Sequence, residues 1–443
     1  MEEHMTFPMP EDFLWGCATA SYQIEGYPDG EGKEPSIWDT FCKQPGTILN
    51  GDTGDVACQG YERYPEDIAL MASLGFKAYR FSLSWPRIIS YGKVNQAGIE
   101  HYRKELECIH QHHMKAYVTL YHWDLPQSLE DNGGWLNRET AYAFQRYAQV
   151  CFQSFGDLVD GWITLNEPWC AAYLGYEIGV HAPGKKVHGY PTAAHILLLA
   201  HGLAVKAYRE TGLKSPIGIT LNPAVTRPAT SSEQDGIASW MEMVTQTDLF
   251  LDPLTTGTYP KVLSDHFGMH FPVQDGDMEV ISQPVDFLGI NYYSEHVISY
   301  DENAPYLFTV APSWQEVTDI GWPVTPYGLL HILRYFAKKA PGVPLYITEN
   351  GASYATGPSE DGRVHDVKRC DYLKRHLEMC HLAIEEHIPL QGYFVWSFMD
   401  NFEWSYGYSQ RFGIVYVDYP TQKRIVKDSG YLLRDCMHNP IEW

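Results

Sequence analysis

Two glutamates, Glu167 and Glu349, stand where apolar runs break off. Glu349 follows Leu345-Tyr346-Ile347-Thr348 and precedes Asn350-Gly351, a turn signal. Glu167 follows Trp162-Ile163-Thr164-Leu165-Asn166 and precedes Pro168, which a central strand does not carry. Runs of this length read as buried strands, so both carboxyls are expected at strand ends, presented by a rigid scaffold to whatever lies beyond the sheet. Two carboxyls placed together can divide labour across one bond. One stays ionised and attacks; the other, kept protonated, donates to the leaving group. A cation near the first would hold it charged. Arg80 is the candidate for that, and Tyr293 could bring a hydroxyl to the same carboxylate.

Something must carry such groups to one place. Apolar runs predict strands over 13–18, 76–83, 115–121, 162–166, 217–221, 286–291, 344–348 and 392–396. Helical spacing of apolar residues predicts helices over 64–74, 98–113, 138–155, 193–210, 327–339 and 368–386, as in Phe144, Tyr147, Ala148 and Cys151. Eight buried strands alternating with helices imply an α/β fold, a single (β/α)8 TIM barrel over 1–443 with elaborated βα loops. The surplus length falls in loops at 30–60, 168–192, 222–235 and 292–320. In such a barrel the strand ends share one face. There the sequence puts Arg80, Tyr121-His122-Trp123-Asp124, Asn166-Glu167, Asn291-Tyr292-Tyr293, Glu349, Trp396 and Glu403-Trp404.

Composition narrows the partners. A net charge of −23 leaves no basic stripe for phosphate backbones, so nucleic acid is excluded as a partner, and anionic membranes and strongly anionic substrates are disfavoured. The 13 Trp and 31 Tyr suit a sugar, whose C–H faces stack on rings and whose hydroxyls meet polar tips, although a large core also uses them. Nine cysteines without CxxC spacing read as reduced, mostly buried thiols. Residues 1–10 carry neither the basic nor the apolar region of a leader, and no run is long enough to span a bilayer; a cytoplasmic protein is the expectation.

Five separated blocks carry a resemblance along essentially the whole chain. They are Phe13 to Gly26, Tyr121 to Pro126, Thr164 to Pro168, Leu345 to Ser353 and Trp396 to Trp404. The chain resembles family 1 glycoside hydrolases of the β-glucosidase type. The resemblance implies Glu349 as nucleophile and Glu167 as the acid that later becomes the base, with Arg80 and Tyr293 positioning and charging the nucleophile. It implies Asn166 on the sugar 2-hydroxyl and Gln23, His122, Glu403 and Trp404 on the remaining hydroxyls. It further implies Trp396 as the stacking floor and Asn291 as a further strand-end contact; Trp322 reads either as shaping the leaving-group side or as a loop aromatic covering the barrel rim, and Asn222, at the end of the fifth strand, is open in the same way. A small-molecule β-glucoside or oligosaccharide is the implied substrate, with galactoside, fucoside and transglycosylation side activity. No cofactor and no metal are implied, and monomers and homo-oligomers are both compatible. In such chemistry a carboxyl separation of about 5–5.5 Å gives a covalent glycosyl-enzyme and retention, whereas a wider gap admits water and inverts.

Two alternatives remain at this stage. Branches acting on 6-phospho-sugars carry Ser, Lys and Tyr where this chain has Glu403, Gln410 and Phe412; a phosphate needs donors and a cation, whereas the Glu403 carboxylate would repel it. A catalytically silent sugar-binding barrel would be expected to lack one carboxylate. Plant thioglucosidase relatives have Gln where Glu167 stands. Other features read as structural: His110-Gln111-His112-His113 as a solvated helix end without a carboxylate partner, His195 and His201 as core residues, and His181-Ala182-Pro183-Gly184 as a turn. No phosphate-binding loop, dinucleotide fingerprint or zinc helix motif is present.

Overall fold

The computed structural model describes residues 6–438 and 441–442; residues 1–5, part of the stretch read for a leader, lie outside them. Eight parallel strands close into a barrel in the order they occur in the chain: β1 Leu14–Ala18, β2 Ala78–Ser82, β3 Lys115–Tyr121, β4 Gly161–Asn166, β5 Ile217–Leu221, β6 Phe287–Asn291, β7 Leu345–Asn350 and β8 Leu390–Trp396. All eight expected strands are found. Their ends differ from expectation by two residues or fewer.

Seven long helices cover the outside: α1 Gly60–Ser73, α2 Gln96–Gln111, α3 Glu139–Phe155, α4 Tyr190–Thr211, α5 Pro326–Lys339, α6 Val367–Glu385 and α7 Asp428–His438. On α3 the buried positions are Phe144, Tyr147, Ala148, Cys151, Phe152 and Phe155, the face the spacing predicted. Each large side chain so buried contributes roughly 1.5–3 kcal/mol, which anchors the helix far more firmly than its propensity would. Among the described residues no helix is long and apolar enough to cross a membrane.

The barrel interior has two layers. Below, Tyr117, Phe287, Tyr346 and Phe394 pack edge to face or tilted with centroids 5.2–6.4 Å apart and plug it. Above them lies a polar layer of Arg80, Thr119, Asn166, Thr220, Asn291 and Thr348, all buried. The plug keeps water out from below, so the polar layer can satisfy itself only sideways or toward the open end.

β4 and β7 each carry one residue too many. Between Ile163 and Asn166 on β4 the partner strand advances only from Gly218 to Thr220. On β7, Ile347 to Glu349 faces Ile290 to Asn291 on one side, and Ile347 to Asn350 faces Tyr393 to Val395 on the other. Such bulges re-aim side chains beside functional sites.

Several expectations need correction. Asn350 does not turn the chain: it is the last residue of β7, and its buried side chain donates to Tyr292 O at 2.7 Å and accepts from Tyr393 Oη at 2.7 Å. Gly351 is there for close approach, because a Cβ would stand 1.7 Å from Trp396 O. The long loops are not bare. Strands Thr226–Pro228, His296–Tyr300 and Phe308–Val310 form a small outer sheet, and helix Glu233–Met243 follows the first of them. His110 does have a carboxylate nearby, Asp160 at 3.4 Å. His195 and His201 are core residues, held by Asp277 and Thr164. Among the described residues no cluster of three or more His, Cys, Asp or Glu is placed to hold a metal, and all nine cysteines are free thiols, six of them buried.

Candidate active site

A regular strand sends consecutive side chains to opposite faces. At the ends of β4 and β7 it does not. Thr348 and Glu349 both enter the polar layer: Thr348 Oγ1 donates to Asn291 Oδ1 at 2.7 Å, while Glu349 meets Arg80 and Tyr293. Asn166 and Glu167 likewise both reach Asn291, whose Nδ2 donates to Asn166 Oδ1 at 3.0 Å and to Glu167 Oε1 at 2.6 Å. The extra residue in each strand makes this possible. Glu167 also takes φ of 49°, a left-handed conformation costing about 1–3 kcal/mol for a residue with a Cβ. Pro168, with φ fixed and no N–H to lose, then opens the helical segment that continues through Cys170–Leu174.

The two carboxyls belong to one network. Arg80 Nη1 donates to Glu349 Oε1 at 2.7 Å and Nη2 to Asn166 Oδ1 at 2.6 Å; Asn166 and Glu167 then share Asn291. Glu349 Oε2 accepts from Tyr293 Oη at 2.6 Å. Because Asn166 Oδ1 accepts from both Arg80 and Asn291, its amide nitrogen is the donor to His122 Nε2 at 3.2 Å. Burial, with Arg80 adding to it, holds His122 well below its ordinary pKa. The ring is therefore neutral with its hydrogen on Nδ1, an atom without a hydrogen-bond partner among the described residues.

Electrostatics separate the two acids. Burial pushes Glu349 up, but the Arg80 guanidinium and the Tyr293 hydroxyl pull it back. At Glu167 burial is reinforced by the Glu349 carboxylate, and the group rises to about 7. Glu403 is pushed up to about 8 by burial and by both other carboxyls. Arg80 and Tyr293 thus favour the charged form at Glu349, whereas Glu167 and Glu403 are the two carboxyls pushed furthest toward holding protons.

Above this network opens a cavity of about 500 Å³, lined by Glu167 and Glu349 together with His122, Asn166, Asn291, Tyr293, Trp322, Trp396, Glu403 and Trp404. Arg80 lies beneath the floor and reaches Glu349 from behind. Gln23 does not form the wall either. It is fully buried, its Nε2 tied to Asn401 Oδ1 at 3.1 Å and Phe402 O at 2.8 Å, which fixes its amide. Its Oε1 and Glu403 Oε2 find no hydrogen-bond partner among the described residues. Unpaired buried polar atoms are costly, and here they sit where a ligand would satisfy them. Trp396 lies against His122, ring centroids 5.8 Å apart and nearly parallel. The loop bearing Glu403 and Trp404 is clamped through Asp400, which accepts from Arg411 and Lys427 at 2.7 Å each and from Gly413 N at 3.0 Å.

Overlap with known proteins decides the family. The family profile described as Glycosyl hydrolase family 1 matches residues 5–440. The chain belongs to glycosyl hydrolase family 1. A family 1 relative, β-glucosidase A of Thermotoga maritima, is 48% identical over 97% of this chain and 98% of its own. A bifunctional β-D-glucosidase/β-D-fucosidase of Bifidobacterium breve is 42% identical over 96% and 97%. The solved family 1 β-glucosidase from Thermotoga maritima superposes with a TM-score of 0.96 at 47% identity, covering 98% and 99% of the two chains.

Within this family 1 cavity, further residues had escaped the sequence reading. His181, taken for a turn, lines the wall beside Trp123 and Trp404, and Cys170, Trp169, Gln246, His296 and Tyr406 line it too. Cys170 had a signal, standing three residues after Glu167. His296 had none, because its place depends on the outer sheet. Trp322 is both things it was weighed as: it packs on Tyr293 and Phe412 at the rim and faces the cavity.

Proposed function

We infer that this chain is a retaining β-glucosidase, releasing terminal nonreducing β-D-glucosyl residues by double displacement. Glu349 attacks C1 while Glu167 protonates the glycosidic oxygen; the aglycone leaves and a glucosyl ester forms on Glu349. Glu167, now ionised, takes a proton from water, whose oxygen attacks C1 and frees Glu349. Arg80 and Tyr293 keep Glu349 ionised and aimed. Asn166 and His122 face the sugar's 2- and 3-hydroxyl edge, Gln23 and Glu403 accept from or donate to the far hydroxyls, and Trp396 stacks on the ring. Asn291 orients Glu167, and Trp322 borders the leaving group. The observation that carries this reading is the single network Glu349–Arg80–Asn166–Asn291–Glu167, which leaves one carboxyl charged and the other protonated.

Replacing water by a sugar hydroxyl in the second step gives transglycosylation, and fucoside cleavage agrees with the bifunctional β-D-glucosidase/β-D-fucosidase of Bifidobacterium breve. A phosphorylated sugar is disfavoured: no lysine or arginine is among the residues lining the cavity, Gln410 is bound by Ser353 at 2.7 Å, and Phe412 packs on Tyr293. The whole chain is read as one catalytic unit, and its free buried thiols favour a reducing, cytoplasmic setting. Proton NMR of the first sugar released from an aryl β-glucoside tests the reading. β-Glucose is expected, and initial α-glucose would refute it.

A further inference from the structure

The two oxygens of Glu167 have unlike neighbours. Oε1 accepts from Asn291 Nδ2 at 2.6 Å. An amide N–H only donates, so Oε1 is held as an acceptor in either protonation state. Oε2 faces Cys170 Sγ at 3.0 Å, and that sulfur accepts from Asn222 Nδ2 at 3.3 Å. The main-chain carbonyl of Asn222 accepts from Gln246 Nε2 at 2.9 Å, which holds the backbone carrying that amide. With Asn222 donating to the sulfur, the thiol hydrogen is turned toward Glu167. Burial and the Glu167 carboxylate push the Cys170 thiol well up, so it remains S–H where the enzyme works.

We propose that Cys170, oriented by Asn222, is a positioning residue that makes Oε2 the proton-carrying oxygen of Glu167. This rests on the acid and base roles given to Glu167. In the first step the Oε2–H bond breaks as its proton passes to the glycosidic oxygen and the C1–O bond to the aglycone breaks. In the second, a water O–H bond breaks, its proton returns to Oε2, and the water oxygen bonds to C1 as the Glu349 ester opens. A thiol suits both halves, because it is a weak donor to the ionised oxygen and a weak acceptor that can turn away from the protonated one. A lysine ammonium could only donate here and would oppose reprotonation.

The other groups facing Glu167 are Glu349 from β7, Arg80 from β2, Tyr293 beyond β6 and Glu403 beyond β8, with the neutral His122 reached through Asn166. His181 and His296 line the same cavity. Among the described residues it is Cys170 that hydrogen-bonds Oε2.

The test is kcat/KM against pH for the whole enzyme on 4-nitrophenyl β-glucoside, with Cys170→Ala, Cys170→Val and Cys170→Ser. Losing the S–H donor should move the basic limb upward by about half a pH unit in the Ala and Val variants. Serine, a stronger donor, should return the limb to the original position or below it. Should Cys170→Ala fail to fold, Cys170→Val keeps the volume and decides alone. Basic limbs of the Ala and Val variants coincident with the parent's, whatever happens to overall rate, would overturn the proposal and leave Cys170 as packing. Glu167→Gln, assayed against pH on the same 4-nitrophenyl β-glucoside, separates the two readings. A basic limb that survives that change removes Glu167 as the acid; its disappearance leaves the Cys170 series to decide.

Discussion

The ends of β4 and β7 use the same backbone device and reach opposite chemical results. Each strand carries one extra residue, and each thereby turns two consecutive side chains, Asn166-Glu167 and Thr348-Glu349, into the same polar layer. What differs is the company. Glu349 has a guanidinium at 2.7 Å and a phenol at 2.6 Å; Glu167 has an amide at 2.6 Å, a thiol at 3.0 Å and no cation of its own. Position in the fold brings the carboxyls together, and neighbouring side chains assign the roles.

Breaking the β7 side should cost most. Glu349→Ala is expected to lower kcat by about 10⁵-fold or more, and added azide should restore turnover with an α-glucosyl azide product identified by NMR. The same truncation at β4 should be milder and depend on the substrate. Glu167→Ala should cost about 10²–10⁴-fold on cellobiose and far less in the first turnover of a dinitrophenyl glucoside, which needs no acid; azide should here give the β-glucosyl azide. Opposite anomers from the two rescues would sharpen the comparison, and identical ones would break it.

Smaller changes probe the neighbours. Arg80→Lys loses the fork that joins Glu349 to Asn166, so kcat/KM should fall by about 10²-fold. Its acid limb should move upward, because Glu349 loses part of what pulls it back from burial. Tyr293→Phe removes one donor from the ionised form of Glu349 and should shift the same limb upward by about half to one pH unit, with little change in the basic limb. In the unmodified enzyme the basic limb should lie near neutrality. Glu167 must be protonated to act as acid and stands at about 7, so kcat/KM falls as pH rises through that value.

Much of this was legible in the sequence, for a physical reason. Buried parallel strands are continuous apolar runs, so all eight could be counted, and the barrel followed from the count. The five motif blocks then carried both glutamates, His122 and Glu403, while Arg80 was read from the end of the second strand. The extra residues of β4 and β7 were hidden, because a bulge is a property of pairing with a neighbour strand and leaves no mark on one strand's own pattern. Asn350-Gly351 misled in the same way: a dipeptide that often turns a chain here serves a buried amide and a close backbone approach to Trp396. Gln23 was expected at the wall but lies behind it, bound to Asn401 and Phe402, contacts 378 and 379 residues away in the chain. His181 and His296 needed the fold before their cavity could exist.

The central claim, that Glu349 rather than Glu167 bonds to the sugar, has a direct measurement. A 2-deoxy-2-fluoro β-glucoside with an activated leaving group slows both steps, the second more than the first, so the glycosyl-enzyme accumulates and its peptides can be weighed. The sugar mass is predicted on the peptide carrying Glu349. A sugar on the Glu167 peptide, or a fully turned-over enzyme that never gains mass, would contradict the account.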